Sequence, residues 1–231
     1  MSRTLNVIRM QFINRQTYVW IPLIVLGGSF AVSLAIWAIL AGSGVDGPKY
    51  GGGAQAPLWY FLFVGVSSLT LTFPFSQAMS VTRREFYLGT LLAAGLTSAM
   101  LALIFVVGGL IEDVTNGWGM NGYFFALDWV WAAGPLVAGV FFFALAMLFF
   151  VIGFGSATVY KRFGALWLTL VYVAIAVLFV GALWLIGRAN AWIEVFGWFA
   201  EIGAGGVALI MLAAVVLVAA TSFPVLRRAT P

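Results

Sequence analysis

The stretch from Trp129 to Tyr160, WVWAAGPLVAGVFFFALAMLFFVIGFGSATVY, runs 32 residues without a charged side chain. A helix needs about 20 apolar residues to cross a hydrocarbon core about 30 Å thick, so this one stretch is long enough to span a membrane. Working outward, five more charge-free runs appear, at 16–45, 50–82, 86–111, 163–187 and 202–226, each of 25 residues or more. A closed barrel is the other structure that can span lipid, but its strands alternate with a period of two. These runs are apolar on every side. The expectation is therefore an all-α membrane protein with six transmembrane helices at about 18–40, 58–80, 86–111, 129–156, 164–187 and 203–226.

Composition agrees. Of the 231 residues, 64% are hydrophobic and 8% are charged, against roughly a quarter charged in soluble domains. The first apolar run, Tyr18 to Leu40, is longer than the apolar part of a signal peptide and is read as a retained helix. Cysteine and histidine are both absent, so thiol chemistry, Ser–His triads and histidine proton relays have no residues to use. A zinc site would need carboxylates alone, and no metal site is expected. None of the six runs contains a carboxylate, which argues against an intramembrane aspartyl protease or a carboxylate-based ion carrier. Glu112 and Asp113, at the end of the third run, read as solvated boundary residues. Gly153-Phe154-Gly155-Ser156 has the look of a serine-protease elbow, but without histidine its small residues point to close helix packing. No P-loop motif occurs, so ATP hydrolysis is not expected of this chain, nor any other enzymatic activity.

Charge sets the orientation. Arg3, Arg9, Arg15, Arg83, Arg84, Lys161, Arg162, Arg227 and Arg228 fall on one side of the six crossings, and Lys49 and Arg188 on the other. Six of the seven acids share the side with Lys49 and Arg188. Because Lys and Arg accumulate in cytoplasmic loops, both termini are expected in the cytoplasm. The calculated pI of about 9.7 then reflects topology and lipid headgroups rather than nucleic acid.

Residues 1–17 form an N-terminal segment ahead of a six-helix domain over 18–228. Leu5, Ile8 and Phe12 recur at helical spacing, which fits a helix lying along the interface, or else an irregular basic tail. Asp128 stands where it would N-cap the fourth helix. Between helices 5 and 6, Trp192, Val195, Phe196 and Phe199 match the i, i+3, i+4, i+7 template of a short external amphipathic helix. On helix 2, Ser68, Thr72 and Ser76 stack at i, i+4, i+8, and Pro74 withholds a donor from the Thr70 carbonyl, so a kink is expected there. This stripe reads either as the lining of a translocation path or as hydroxyls bonded back to carbonyls and gluing helices together.

The turn that follows, Met79-Ser80-Val81-Thr82-Arg83-Arg84-Glu85-Phe86-Tyr87-Leu88-Gly89-Thr90, resembles the G-x-T-R-R-x-F-x-x-G turn of bacterial ABC-2 type transporter permeases, with Ser80 where glycine is frequent. The layout of interfacial helix, six spans, cytoplasmic ends and external segment before the last helix is similar to that family too. The resemblance implies the permease subunit of an ATP-driven transporter, an exporter in the bacterial plasma membrane. It further implies pairing with a second permease copy or a related permease, and with a separate cytoplasmic P-loop ATPase that carries the ATP and Mg. Val81, Thr82, Arg83, Arg84, Glu85 and Phe86 would then form the coupling contact, with Phe86 as its buried anchor. The alternative is a non-transporting membrane scaffold or assembly subunit that recruits partners through its basic turns.

Overall fold

The computed structural model describes residues 3–13 and 15–227, without the side chains of residues 3–6 and 13. Arg228 and the side chains of Arg3 and Leu5, used above for topology and for the interfacial face, lie outside the described residues. Helix accounts for 87% of the chain, and six helical segments are long and apolar enough to cross a membrane. The protein is an all-α, multi-pass membrane protein rather than a barrel.

Helix α1 (Arg3–Ile13) precedes the first span, which is a π-helical turn at Gln16–Trp20 continued by α2 (Ile21–Gly42). The strand β1 (Lys49–Tyr50) and a 3₁₀ turn lead into the second span. That span comprises α3 (Ala56–Ser67), a second π-helical turn at Ser68–Thr72, and α4 (Phe73–Ala78). The third span is α5 (Arg83–Val114). After β2 (Gly122–Tyr123) and the one-turn α6 (Asp128–Trp131) come α7 (Pro135–Phe163), α8 (Ala165–Arg188) and α9 (Trp192–Leu226).

Several expected boundaries move, each for a local reason. The fourth span starts at Pro135, not at 129, because Gly134 turns the chain at φ 94° and proline cannot donate back to continue α6. Asp128 therefore caps no span; the cap position of α6 is Leu127, and the Asp128 carboxylate accepts a hydrogen bond from the Tyr50 hydroxyl instead. The kink expected at Pro74 takes the form of the π turn just before it, which absorbs the backbone mismatch a helical proline creates. The last span and the external segment form one helix interrupted at Gly203, whose φ of 58° and ψ of −173° only glycine adopts readily.

Span α7 is the centre of the bundle, packing against α3, α5 and α9. The α3–α7 crossing is very tight. A Cβ on Gly153 would lie 2.0 Å from the Leu62 carbonyl oxygen, and one on Gly65 would lie 2.2 Å from that of Phe150. Small residues thus allow backbone-to-backbone contact, the main source of helix affinity in lipid. This is the role read for the Gly153–Ser156 stretch. Phenylalanines fill the remaining space, with Phe61, Phe73, Phe86, Phe105, Phe150 and Phe154 fully buried.

Helix α1 lies against α5. Its buried positions are Val7 and Gln11, whereas Ile8 and Phe12 are half-buried. Gln11 can be buried because both ends of its amide are used. It donates to Thr90 Oγ1 at 2.9 Å and accepts from the Tyr18 hydroxyl at 2.6 Å. That hydroxyl also shares a 2.6 Å hydrogen bond with Ser68. One polar chain therefore joins α1, both π turns and α5.

Candidate functional site: the turn between α4 and α5

The turn is short because both helices end abruptly and their ends are capped. Ser80 takes φ 57°, a left-handed conformation that glycine adopts without cost and that explains why glycine is frequent there in the similar motif. Met79, Ser80 and Val81 donate their amides to the last carbonyls of α4, and Gln77 Nε2 donates to the Val81 carbonyl at 3.1 Å. Thr82 then opens α5 with a reciprocal capping box. Its hydroxyl accepts from the Glu85 amide, while its own amide and hydroxyl donate to the Glu85 carboxylate at 3.1 and 2.7 Å. Such caps contribute roughly 1 kcal/mol each. The outcome is a short turn bonded to the helix on either side.

The six expected coupling residues separate into different roles. Because α5 starts at Arg83, three residues before the expected 86, Phe86 falls one turn inside the helix and faces the core. It is fully buried, 5.2 Å from the Phe73 ring, so it is an internal anchor and not one a partner can reach. Glu85 is engaged in the capping box. Arg83 is half-buried: its Nη1 donates to the carbonyls of Leu226 at 3.1 Å and Arg227 at 2.7 Å, and its guanidinium lies 5.9 Å from the Phe73 ring centre. It thus serves the open carbonyls at the end of α9, a favourable place for a cation. Val81 is half-buried, while Met79, Ser80, Thr82 and Arg84 are exposed, Met79 by 59%. Sequence reasoning passed over Met79, whose exposure on a turn is the signal that distinguishes it from the surrounding apolar residues.

The hydroxyl stripe behind the turn is divided by the π turn. Ser68 and Ser76 are buried and donate to the carbonyls of Val64 and Phe73, both at 2.7 Å. This is the back-bonded, helix-gluing arrangement. Thr72 is half-buried and borders a groove with Tyr18, Tyr60 and Phe75, while Pro74 is half-buried. The first part of α9, before the break at Gly203, is helical over the stretch that carries the i, i+3, i+4, i+7 pattern. Trp192 and Phe196 stack at 6.1 Å, Phe196 and Phe199 are exposed, and Val195 is half-buried.

At the opposite end of the bundle, one residue departs from its expected role. Glu112 is fully buried and not a solvated boundary residue. One carboxylate oxygen accepts from Trp118 Nε1 at 2.7 Å and from the Phe124 amide at 2.8 Å. The other accepts from the amides of Phe125 and Ala126 at 2.8 and 2.7 Å. Four donors replace its water, so the charge holds the loop 115–127 over the bundle. Nearby, β1 and β2 pair in parallel, and Lys49 Nζ donates to the Met120 carbonyl at 2.9 Å. Tyr50, outside the spans, has its pKa raised chiefly by its hydrogen bond to Asp128. No spacing in the sequence marks Glu112, because its partners lie 6 to 14 residues later in an irregular loop.

Among the described residues, no group of three or more acids could hold a metal ion. No protein-family model matches the chain, and neither a curated protein nor a solved structure matches it.

Proposed function

We propose that this protein is the transmembrane permease subunit of an ATP-driven transporter of the ABC-2 type. It works with a second permease subunit and takes its energy from a separate cytoplasmic ATPase that docks on the α4–α5 turn. The observation that carries this reading is the capping of that turn on both sides together with its exposed apex. Met79, Ser80, Thr82 and Arg84 are exposed on a loop closed by the amide bonds to α4 and by the Thr82–Glu85 capping box. A push on such an apex moves α4 and α5 together. Through Arg83 it also reaches the end of α9, so three helices at this end of the bundle respond to one contact. Rigid-body transmission of this kind needs a turn that does not deform. The π turn and Pro74 at 68–74 supply the place where the second span can bend in response. The basic residues at this end favour the cytoplasmic side for it, and the exposed α8 offers surface for the second subunit. The cargo leaves by export in this reading.

Docking is tested with Met79→Asp, which alters the apex without touching the capping box or the Arg83 bonds. Co-purification with a P-loop ATPase expressed alongside should fall at least about tenfold, while the elution profile of the permease stays unchanged. Undiminished ATPase binding by this variant would remove the turn from the docking site. If the wild-type chain binds membrane partners but no ATPase, the scaffold reading takes its place.

A further inference from the structure

Spans α5 and α9 both lean on α7, and an open groove of about 520 Å³ lies between them, reaching Arg84 near the start of α5. Its walls are apolar: Leu88 and Leu91 from α5, Val216, Ala220 and Phe223 from α9, with Met147 of α7 at its floor. The one tyrosine in it, Tyr87, donates its hydroxyl to the Ala219 carbonyl. The walls therefore offer no free polar group along their length. At the mouth the chemistry changes. Arg84 lines the groove and is exposed, and the guanidinium of Arg227 lies 6.0 Å from the ring centre of Phe223 on the other wall. Arg83 is already bonded to the carbonyls that end α9.

From this arrangement we infer that the groove is a binding site for one anionic phospholipid, with an acyl chain between α5 and α9 and its phosphate between Arg84 and Arg227. Three features select this occupant. The groove lies on helices apolar enough to span a membrane and opens sideways, where the neighbouring molecule is lipid. Its length is apolar, so it suits a hydrocarbon chain and offers a polar ligand no partner. Arg84 lines one end and Arg227 lies against the Phe223 wall, and guanidinium groups take phosphate oxygens in paired hydrogen bonds. A lipid seated there would fill the gap in the bundle and complete the seam that Arg83 and Tyr87 close only in part.

The test is native mass spectrometry of the detergent-purified, delipidated chain titrated with dioleoyl phosphatidylglycerol or with dioleoyl phosphatidylcholine. One phosphatidylglycerol per chain is expected to bind at least about tenfold more tightly than phosphatidylcholine, given the attraction of two basic residues for an anionic headgroup. The double variant Arg84→Gln, Arg227→Gln should lose that preference. Ala220→Trp, which keeps both charges and fills the groove, should lower the affinity for both lipids. Equal binding of the two lipids by wild type would overturn the proposal, as would an unchanged preference in the double variant. Unchanged affinity in Ala220→Trp would reduce the site to headgroup attraction and would overturn the groove as its seat. If Ala220→Trp leaves lipid binding intact and instead halves the mass of the complex, the groove holds a second copy of the chain and the lipid assignment is wrong.

Discussion

Spans α7 and α8 follow each other with only Gly164 between them, and both are apolar enough to cross a membrane unaided. Their surroundings are nevertheless opposite. Ten residues of α7 are buried and three other spans lie against it, whereas no residue of α8 is buried and α7 is its main neighbour. The difference lies in where the backbone can be approached. On α7, Gly153 meets the backbone of α3 and Gly155 comes close to Ser222 of α9, while nothing lies within 4 Å of where a Cβ on Gly181 of α8 would sit. In lipid, where apolarity alone gives no preference for protein over solvent, close packing decides which helices associate. A helix such as α8 is left for lipid or for another protein.

That contrast can be broken most directly at the glycines. Gly153→Leu forces a side chain into the Leu62 carbonyl. It should cost more than the 1–3 kcal/mol typical of overpacking, seen as aggregation or loss of a single elution peak in mild detergent. Gly181→Ala in α8 should change thermal stability by less than about 0.5 kcal/mol. Equal tolerance of the two would mean that the α3–α7 seam is not the centre of the bundle.

A smaller effect is expected at the end of the packed half. Glu112→Gln keeps the shape but turns one acceptor oxygen into a donor, leaving two of its four partners unsatisfied. Hydrogen bonds to charged groups are worth roughly 1.5–3 kcal/mol each. The loop 115–127 should become sensitive to proteolysis while the spans stay folded, as read by mass mapping of the fragments. A loop as resistant as wild type would show that the β1–β2 pairing and Lys49 hold it without Glu112.

The mildest perturbation probes α8 itself. The chain contains no cysteine, so Leu178→Cys introduces a single thiol at a position 73% exposed. Stability should be unaffected, and oxidation in membranes should yield a cross-linked dimer if a second copy covers α8. Absence of cross-linking at Leu178 and also at Phe179→Cys would leave α8 facing lipid or a different partner.

Much of the architecture was legible in the sequence because charge spacing and apolar length are local properties that the bilayer reads directly. The six spans, the irregular helix before Pro74, the helical stretch from Trp192 and the tightness of the α4–α5 turn all belong to this class. The side-chain roles within the turn were not legible. Whether Arg83 faces solution or the end of α9 depends on a helix that ends 143 residues later. Whether Phe86 is a docking anchor or core depends on α5 starting three residues early. Glu112 was misread for a similar reason: the donors that allow a buried charge come from an irregular loop folded back over it.

Membrane-spanning helices and the positions of the turns thus follow from residue order alone, since bilayer thickness and the scarcity of charge leave little alternative. Which helices touch, which arginine is engaged and which lines the groove, and which carboxylate is buried all follow from the packed bundle. Those outcomes rest on contacts between residues far apart in the chain, where a difference of one helical turn changes what a side chain meets.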